Sequence, residues 1–406
     1  MLLKNKNILV GVTGSIAIYK ALELIRLYIK AGAAVRVVMT DAAKKFINPI
    51  TFEAISQNKI LDESSENWDK SQDYNHIDIA KWSDIFIIAP ASANTINKLS
   101  SGIADNLLLQ TALAYTKAIV LSPAANTNMI ENSITKKSLE NLTKLGFEIL
   151  GTQTKELICK DVGNGAMAEP IDIFHKTCRE LLRNFYWENR KVVLSGGGTI
   201  EKIDDVRYIS NFSSGKMASS LATALYYLGA DVSLVASRGL EYAPKGINRI
   251  QIFSTLEFKE NLEKELKLNQ NSKKTYLFMV AAISDYVPSL KVDGKIKKET
   301  LGETWNLKLK KNIDILASIE KNNIISVGFK AEMDKVNAKT NAENMLINKN
   351  LDAVCLNILD ENNKFGDENN IIELIFKDES KNFSGNKLDI SFSILENLEK
   401  KFEAHE

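Results

Sequence analysis

Residues 7–39 read NILVGVTGSIAIYKALELIRLYIKAGAAVRVVM. A β-branched run at 8–11 leads to a turn at Gly14 and Ser15. Residues 16–30 then carry Ala17, Leu24 and Leu27 near a 3.6-residue spacing, and 35–39 is a second β-branched run. Strand, helix and strand in this order form a βαβ unit, because two parallel strands need a crossover and a helix supplies it. The pattern continues outward. Residues 85–89 and 118–121 are further buried-strand runs, and Pro90 and Pro123 follow them. Proline turns the chain out of the sheet, and open parallel sheets bind ligands at the carboxyl ends of their strands. The loops after these two runs are therefore candidate site loops.

A second series begins after an amphipathic helix expected over 171–190. Residues 192–194 lead into Gly196, Gly197 and Gly198; 216–228 reads as a helix; 231–236, 277–280, 326–329 and 353–356 read as strands, and 371–376 as an edge strand. Residues 287–304, VPSLKVDGKIKKETLGET, are polar and lysine-rich without a period, which predicts a mobile flap over a site. The fold class is α/β: two Rossmann-like three-layer domains, divided as 1–187 and 188–406.

Charge narrows the possible ligands. In 406 residues, 52 Lys+Arg face 51 Asp+Glu, a net charge of +1. Bulk attraction to nucleic acid or to an anionic membrane is thereby excluded, and an anionic ligand must be held by local geometry. Three cysteines and three histidines are scattered without zinc-ligand or disulfide spacing. The first residues, MLLKNKNILVGVTG, lack the apolar core of a signal peptide, and no run approaches the ~20 apolar residues of a membrane span. A soluble cytoplasmic protein is expected.

The turn GVTGSIA at 11–17 is not the dinucleotide fingerprint, since its second glycine falls at the fourth position and the last is missing. The segment APASANT at 89–95 is more telling. Ser92, Asn94 and Thr95 stand between a strand and a helix, where N–H groups and hydroxyls make a phosphate cradle without lysine. Taken with GIADNLL (102–108), PAAN (123–126) and GNGAMAEP (163–170), these motifs closely resemble the flavin-dependent cysteine decarboxylases. The resemblance implies a flavodoxin-like domain with FMN near Gly14, Ser15, Thr40, Ser92, Asn94 and Thr95. It implies His76 for the oxidation and decarboxylation steps, Asn126 for the substrate carboxylate, and Cys159 as the acid that protonates the enethiolate after CO₂ leaves. Ala125, Ile130 and Lys160 depart from the family pattern around that pocket.

In the second half, SSGKM (213–217) fails as a Walker A motif because Ser210 replaces the first glycine and Met217 the final Ser/Thr. A longer set matches instead: DDVRYISNFSSGKMA (204–218), AAISDY (281–286), KIKK (295–298), KNIDIL (311–316), VGFKAE (327–332) and KNLDAVCLN (349–357). These resemble phosphopantothenate–cysteine ligase, a domain commonly fused behind the decarboxylase in bacteria. The resemblance implies a ligase that activates a carboxylate as an acyl-nucleotide. Lys295 would then act on the phosphates, Asn211 on the acyl-nucleotide, and Arg207 on the substrate. CTP would be contacted by Ala281, Asp285, Lys295, Asn312, Ile313, Asp314, Ile315, Phe329 and Lys349. Mg²⁺ would be carried mainly by the nucleotide phosphates. Ile313 stands where the family has proline and Met345 where it has a second lysine, which leaves CTP and ATP both open.

The expected function is thus coenzyme A biosynthesis: joining L-cysteine to 4′-phosphopantothenate, then decarboxylating the product to 4′-phosphopantetheine. The resemblance implies trimers of the first domain and dimers of the second, together a dodecamer. A regulatory flavoprotein would carry an altered cysteine position and a charged tail, and neither is expected here. A peptidyl-cysteine decarboxylase would leave the second domain unexplained.

Overall fold

A computed structural model describes the chain except for residues 69–74, 157–161, 270–271, 298–301, 361–362, 365 and 404–406. It divides into two compact units, Met1–Leu181 and Leu182–Glu406.

The first unit is built on β1 (Asn7–Val12), β2 (Ala34–Met39), β3 (Ile85–Ala91), β4 (Ile119–Pro123) and β5 (Glu148–Ile149). They form one parallel sheet in the order β2-β1-β3-β4-β5. All seven residues of β3 are buried, as a central parallel strand covered on both faces requires. Leu9, Phe86, Ile88 and Leu121 pack with Leu107, Leu108 and Leu109 of the helix Leu107–Ala114. The helix Tyr19–Lys30 buries Ala21, Leu24, Ile25 and Tyr28, the stripe its 3.6-residue period dictates. This order places the topological switch point between β1 and β3. A hairpin of β6 (Gln153–Glu156) and β7 (Val162–Ala166) lies outside the main sheet.

The second unit contains β8 (Lys191–Gly196), β9 (Ile200–Lys202), β10 (Tyr208–Ser210), β11 (Asp231–Ala236), β12 (Asn248–Gln251), β13 (Thr275–Met279), β14 (Tyr286–Pro288), β15 (Leu309–Lys311), β16 (Ile324–Glu332), β17 (Ala353–Ile358), β18 (Asn369–Ile375) and β19 (Ser380–Asn386). Its main sheet runs β12-β11-β8-β13-β16-β17-β18-β19. Strands β12 to β17 in that order are parallel, and in chain order they follow the 3-2-1-4-5-6 arrangement of dinucleotide-binding folds. The switch point therefore lies between β8 and β13. Leu221 and Ile394 mark the helices on one face, and Phe258 and Leu346 those on the other, completing three layers. Both units are α/β, as the sequence predicts.

Three details differ from the sequence reading. The helix expected over 171–190 ends at Leu182, and Tyr186 and Trp187 enter the core of the second unit instead. Beside them Arg190 is 1% exposed, its guanidinium 4.0 Å from the Tyr186 ring and its N–H groups donating to Tyr186 O (3.0 Å) and Lys274 O (3.1 Å). The strand expected at the edge, β18, pairs on both sides, and the polar β19 is the edge. Finally, the segment expected as a mobile flap starts in β14, which pairs with β15, and its residues 292–296 are hydrogen-bonded to residues 203–207, while 298–301 lie outside the described residues.

Candidate functional site

The first unit holds a cavity of about 1080 Å³ at the carboxyl edge of its sheet. Four successive strands each deliver a helix N-terminus to it. After β1, Ser15 caps the turn Ile16–Ile18, its Oγ accepting from Ala17 N at 3.3 Å. After β2, Thr40 caps Asp41–Lys44, accepting from Ala43 N at 3.4 Å. After β3, Ser92 caps Ala93–Ser100, accepting from Thr95 N at 3.3 Å and lying 3.1 Å from Thr95 Oγ1. After β4, Asn126 caps Thr127–Glu131, its Oδ1 accepting from Asn128 N at 2.9 Å. Gly14, Asn94 and Thr95 line the same space. Each helix start presents N–H groups without an intrahelical partner, so the cavity suits an anion held by neutral dipoles.

Glycines bring these loops together. A Cβ on Gly14 would stand 2.7 Å from Ala42 Cβ, so the turn after β1 approaches the turn after β2 as only glycine permits. On β7, a Cβ on Gly165 would meet Ala125 O at 2.1 Å, and the Gly165 carbonyl accepts from Ala125 N at 3.2 Å. The hairpin thus docks by its backbone beside Asn126.

Several residues at this cavity were missed in the sequence. Thr13, 1% exposed, donates to Pro90 O (2.7 Å) and accepts from Ser92 N (2.9 Å), joining β1 to β3 across the switch point. Its partners are 77 and 79 residues away, so no local signal marks it. Lys20 and Lys155 both pair with Glu169 Oε1 at the cavity wall. The hydrogen bond from Lys155, opposed by burial and aided by Lys20, holds the Glu169 carboxyl below the usual range.

His76 is placed differently from the other expected residues. It is the first residue of the helix His76–Trp82, its Nδ1 is 2.8 Å from Glu66 Oε1, and Trp68 meets its ring edge-on. It is not among the residues lining the cavity. Cys159 lies outside the described residues.

In the second unit hydrogen bonds tie together the loops that carry four of the expected residues, Asn211, Ala281, Asp285 and Asn312, near the switch point between β8 and β13. Ser195, at the end of β8, accepts from Val280 N (3.0 Å) and Ala281 N (3.1 Å). Gly197 has φ +77°, and a Cβ there would stand 2.3 Å from Ser237 Oγ, so this crossing needs glycine. A Cβ on Gly198 would meet Asn211 O at 2.5 Å, while Asn211 Nδ2 donates to Ile283 O at 3.1 Å. A polar chain then fixes the 311–316 loop. Asn312 donates its backbone N–H to Asp285 O (2.8 Å) and its amide to Ser284 O (2.7 Å) and Thr255 Oγ1 (2.8 Å). Thr255 in turn donates to Glu201 Oε1 through N (2.8 Å) and Oγ1 (2.5 Å), which the sequence did not reveal.

Asp314 caps Ile315–Ser318 and pairs with Lys349 at 2.8 Å. Burial raises its carboxyl pKa, but Lys349 and the cap amides outweigh that and leave it below the usual range. Phe329 packs against the core on one side of β16. On the other side Met345 Cε covers Gly328, so the position expected for a second lysine is filled with apolar contact. Ile313 N donates to Asn312 Oδ1 at 2.9 Å, a bond that the proline usual there has no N–H to make. Arg207 does not stand free: Nη2 donates to Ile296 O (2.9 Å), and the guanidinium lies 5.2 Å from the Trp305 ring. Lys295 is exposed beside it. Among the described residues no group of three or more His, Cys, Asp or Glu is arranged to hold a metal, and no helix is long and apolar enough to cross a membrane.

Two family models match the chain: Flavoprotein over residues 2–182, and the DNA/pantothenate metabolism flavoprotein C-terminal domain over 187–402. The chain is 39% identical over 393 residues to the coenzyme A biosynthesis bifunctional protein CoaBC of Haemophilus influenzae, covering 95% of this chain and 94% of that one. It is 35% identical over 405 residues to the protein of the same description from Bacillus subtilis, covering 98% and 97%. A solved structure of a PPC decarboxylase mutant complexed with pantothenoylaminoethenethiol is 32% identical, with a TM-score of 0.40, and covers 43% of this chain and 97% of that chain.

Proposed function

The chain belongs to the family of bifunctional coenzyme A biosynthesis proteins, and from that premise we propose that residues 1–187 are an FMN-dependent phosphopantothenoylcysteine decarboxylase and residues 188–406 a CTP-dependent phosphopantothenate–cysteine ligase. The observation that carries the first assignment is the convergence of four capped helix starts on one cavity. A flavin mononucleotide fits that donor set, because its phosphate needs N–H and O–H donors and its ring needs room. When bound, the flavin supplies reversible two-electron chemistry. Gly14, Ser15, Thr40, Ser92, Asn94 and Thr95 hold its phosphate end. Asn126 orients the carboxylate that is lost and Cys159 donates a proton to the enethiolate left behind; His76, paired with Glu66 outside the cavity lining, is assigned the oxidation and decarboxylation steps on the family motif alone.

For the ligase the carrying observation is the set of hydrogen bonds that ties the loops of Asn211, Ala281, Asp285 and Asn312 together near one switch point. Attack on the nucleotide would gather negative charge on the α-phosphate; Lys295 would offset it, and Mg²⁺ carried by the phosphates would supply further charge stabilisation. Asn211 binds the acyl-nucleotide and Arg207 belongs to the substrate segment. Ala281, Asp285, Asn312, Ile313, Asp314, Ile315, Phe329 and Lys349 make up the CTP site. Self-association into trimers of the first domain and dimers of the second, together a dodecamer, and a cytoplasmic location complete the reading. The decisive assay supplies 4′-phosphopantothenate, L-cysteine and Mg²⁺ with CTP or ATP. CO₂ and 4′-phosphopantetheine are the expected products, with CTP the better substrate. A purified chain that takes up no flavin, or makes no product with either nucleotide, overturns the assignment.

A further inference from the structure

Lys295 sits in a segment whose composition predicts mobility, yet the residues on both sides of it are fastened to one turn. Gly294 N donates to Asp205 Oδ2 (2.8 Å) and Gly294 O accepts from Asp205 N (3.2 Å). Ile296 N donates to Asp204 Oδ2 (3.2 Å), and Ile296 O accepts from Arg207 Nη2 (2.9 Å). Val292 N adds a bond to Ile203 O at 3.0 Å. The segment is therefore paired along the turn almost as a strand would be.

Asp204 is the centre of this arrangement. It is 1% exposed, and its two oxygens divide the work. Oδ1 accepts from Val206 N (2.8 Å) and Arg207 N (2.7 Å), which closes the turn on itself. Oδ2 accepts from Ile296 N and faces Arg207 Nη1 at 3.7 Å, which binds the Lys295 segment to the turn. Every neighbour is a donor, so the site requires an acceptor on both oxygens, which a carboxylate supplies and an amide does not. Burial alone would push the Asp204 carboxyl up, but three backbone N–H groups and Arg207 outweigh it and keep it ionised below the usual range.

We propose that Asp204 is a positioning residue for Lys295, acting with Arg207 to hold the 292–297 segment so that the lysine ammonium is presented to the phosphates at a fixed point. The proposal rests on the reading of Lys295 as the phosphate lysine of the ligase. It also gives Arg207 a role in the protein itself: its guanidinium is engaged by Ile296 O and Asp204.

The isosteric change Asp204→Asn separates the two halves of the arrangement. Its amide oxygen can still accept from Val206 and Arg207, while its NH₂ group opposes Ile296 N–H. In the full-length protein, ligase kcat is expected to fall on the order of tenfold to a hundredfold, the range a displaced catalytic group costs, with little change in KM for 4′-phosphopantothenate. Decarboxylation of supplied 4′-phosphopantothenoylcysteine stays unchanged. In the Lys295→Ala background Asp204→Asn adds no further loss, because it acts only through that lysine. Trypsin cleavage after Lys295, read by mass spectrometry, accelerates in Asp204→Asn. Asp205→Ala, an exposed change that removes the side-chain bond to Gly294 N and the 3.9 Å pair with Lys291, gives a smaller loss of the same kind and serves if Asp204→Asn folds poorly. Ligation within twofold of the unaltered protein in both variants overturns the proposal while leaving the Lys295 reading intact. Losses that multiply with Lys295→Ala overturn it too. A Lys295→Ala protein that ligates normally removes the underlying reading and the proposal together.

Discussion

Both units set a buried hydroxyl at the end of the first strand and use it to bridge to the strand across the switch point. Thr13 reaches Pro90 and Ser92 in one, and Ser195 receives Val280 and Ala281 in the other. From this shared device two different clefts grow. In the first, successive strands end in helix caps, and the expected phosphate holders Gly14, Ser15, Thr40, Ser92, Asn94 and Thr95 are all neutral. In the second, loops are tied by carboxylates: Glu201 through Thr255 to Asn312, Asp314 to Lys349, and Asp204 to the segment bearing Lys295. On the proposed reading, one α/β plan serves two uses of phosphate. One would be a permanent hold, for which fixed dipoles suffice. The other would be a reaction at phosphorus, where charge must arrive with the transition state.

The sharpest way to break the comparison is to remove the charge. Lys295→Ala is expected to lower ligation by roughly 10² to 10³-fold, the cost of losing a transition-state donor, while decarboxylation of supplied intermediate is unaltered. Separate assays of the two half-reactions decide it, and equal losses in both would show the units are not independent. Next in size is a change of backbone packing. Gly165→Val puts a side chain where even a Cβ would stand 2.1 Å from Ala125 O, so the Asn126 loop must shift. Decarboxylation should fall about 10²-fold, as expected for misplacement near 1 Å, and ligation should not change. A smaller effect follows from Thr13→Val, which strands Pro90 O and Ser92 N. Flavin dissociation constants measured by fluorescence titration should rise about tenfold, equivalent to one or two lost buried hydrogen bonds. The smallest effect refines the contrast most directly. Raising salt from about 0.1 to 0.5 M should raise the nucleotide KM several-fold and leave flavin affinity within about twofold, since lysine contacts are screened and enclosed dipoles much less so.

What the sequence made legible follows from range. The alternation of β-branched runs and helical stretches is local, so both α/β series could be read along the chain. Ser92 was legible as part of a phosphate cradle before a helix, whereas Ser15, Thr40 and Asn126 entered only through the family motifs; their capping, which acts over two or three residues, is a local signal left unused. Contacts over long separations could not be read. Thr13 gives no local sign of bonding residues beyond position 90, and Glu201 none of reaching Thr255. At 287–304 composition gave lysine and glycine without a period, and nothing local announced the backbone N–H groups of Gly294 and Ile296 meeting Asp205 and Asp204. Strand β19, SKNFSGN, pairs through its backbone and carries no apolar run to announce it. The site around His76 was legible only as motif. Its structural neighbours are Glu66 and Trp68, and its absence from the cavity lining had no signature in sequence.

The cap-built cradle of the first unit has one more consequence. Main-chain N–H groups and hydroxyls have no proton to lose in ordinary buffers and no amine for an acyl donor to modify. Lysine acetylation, which erases positive charge, would therefore reach Lys295 and Lys349 but find nothing to modify among the residues proposed to hold the flavin phosphate. On the proposed reading the two phosphate sites differ in chemical vulnerability: acylation of Lys295 would lower ligation, while the flavin phosphate would keep its neutral donors, leaving Lys20 and Lys155 at the cavity wall as the first unit's point of attack for the same chemistry.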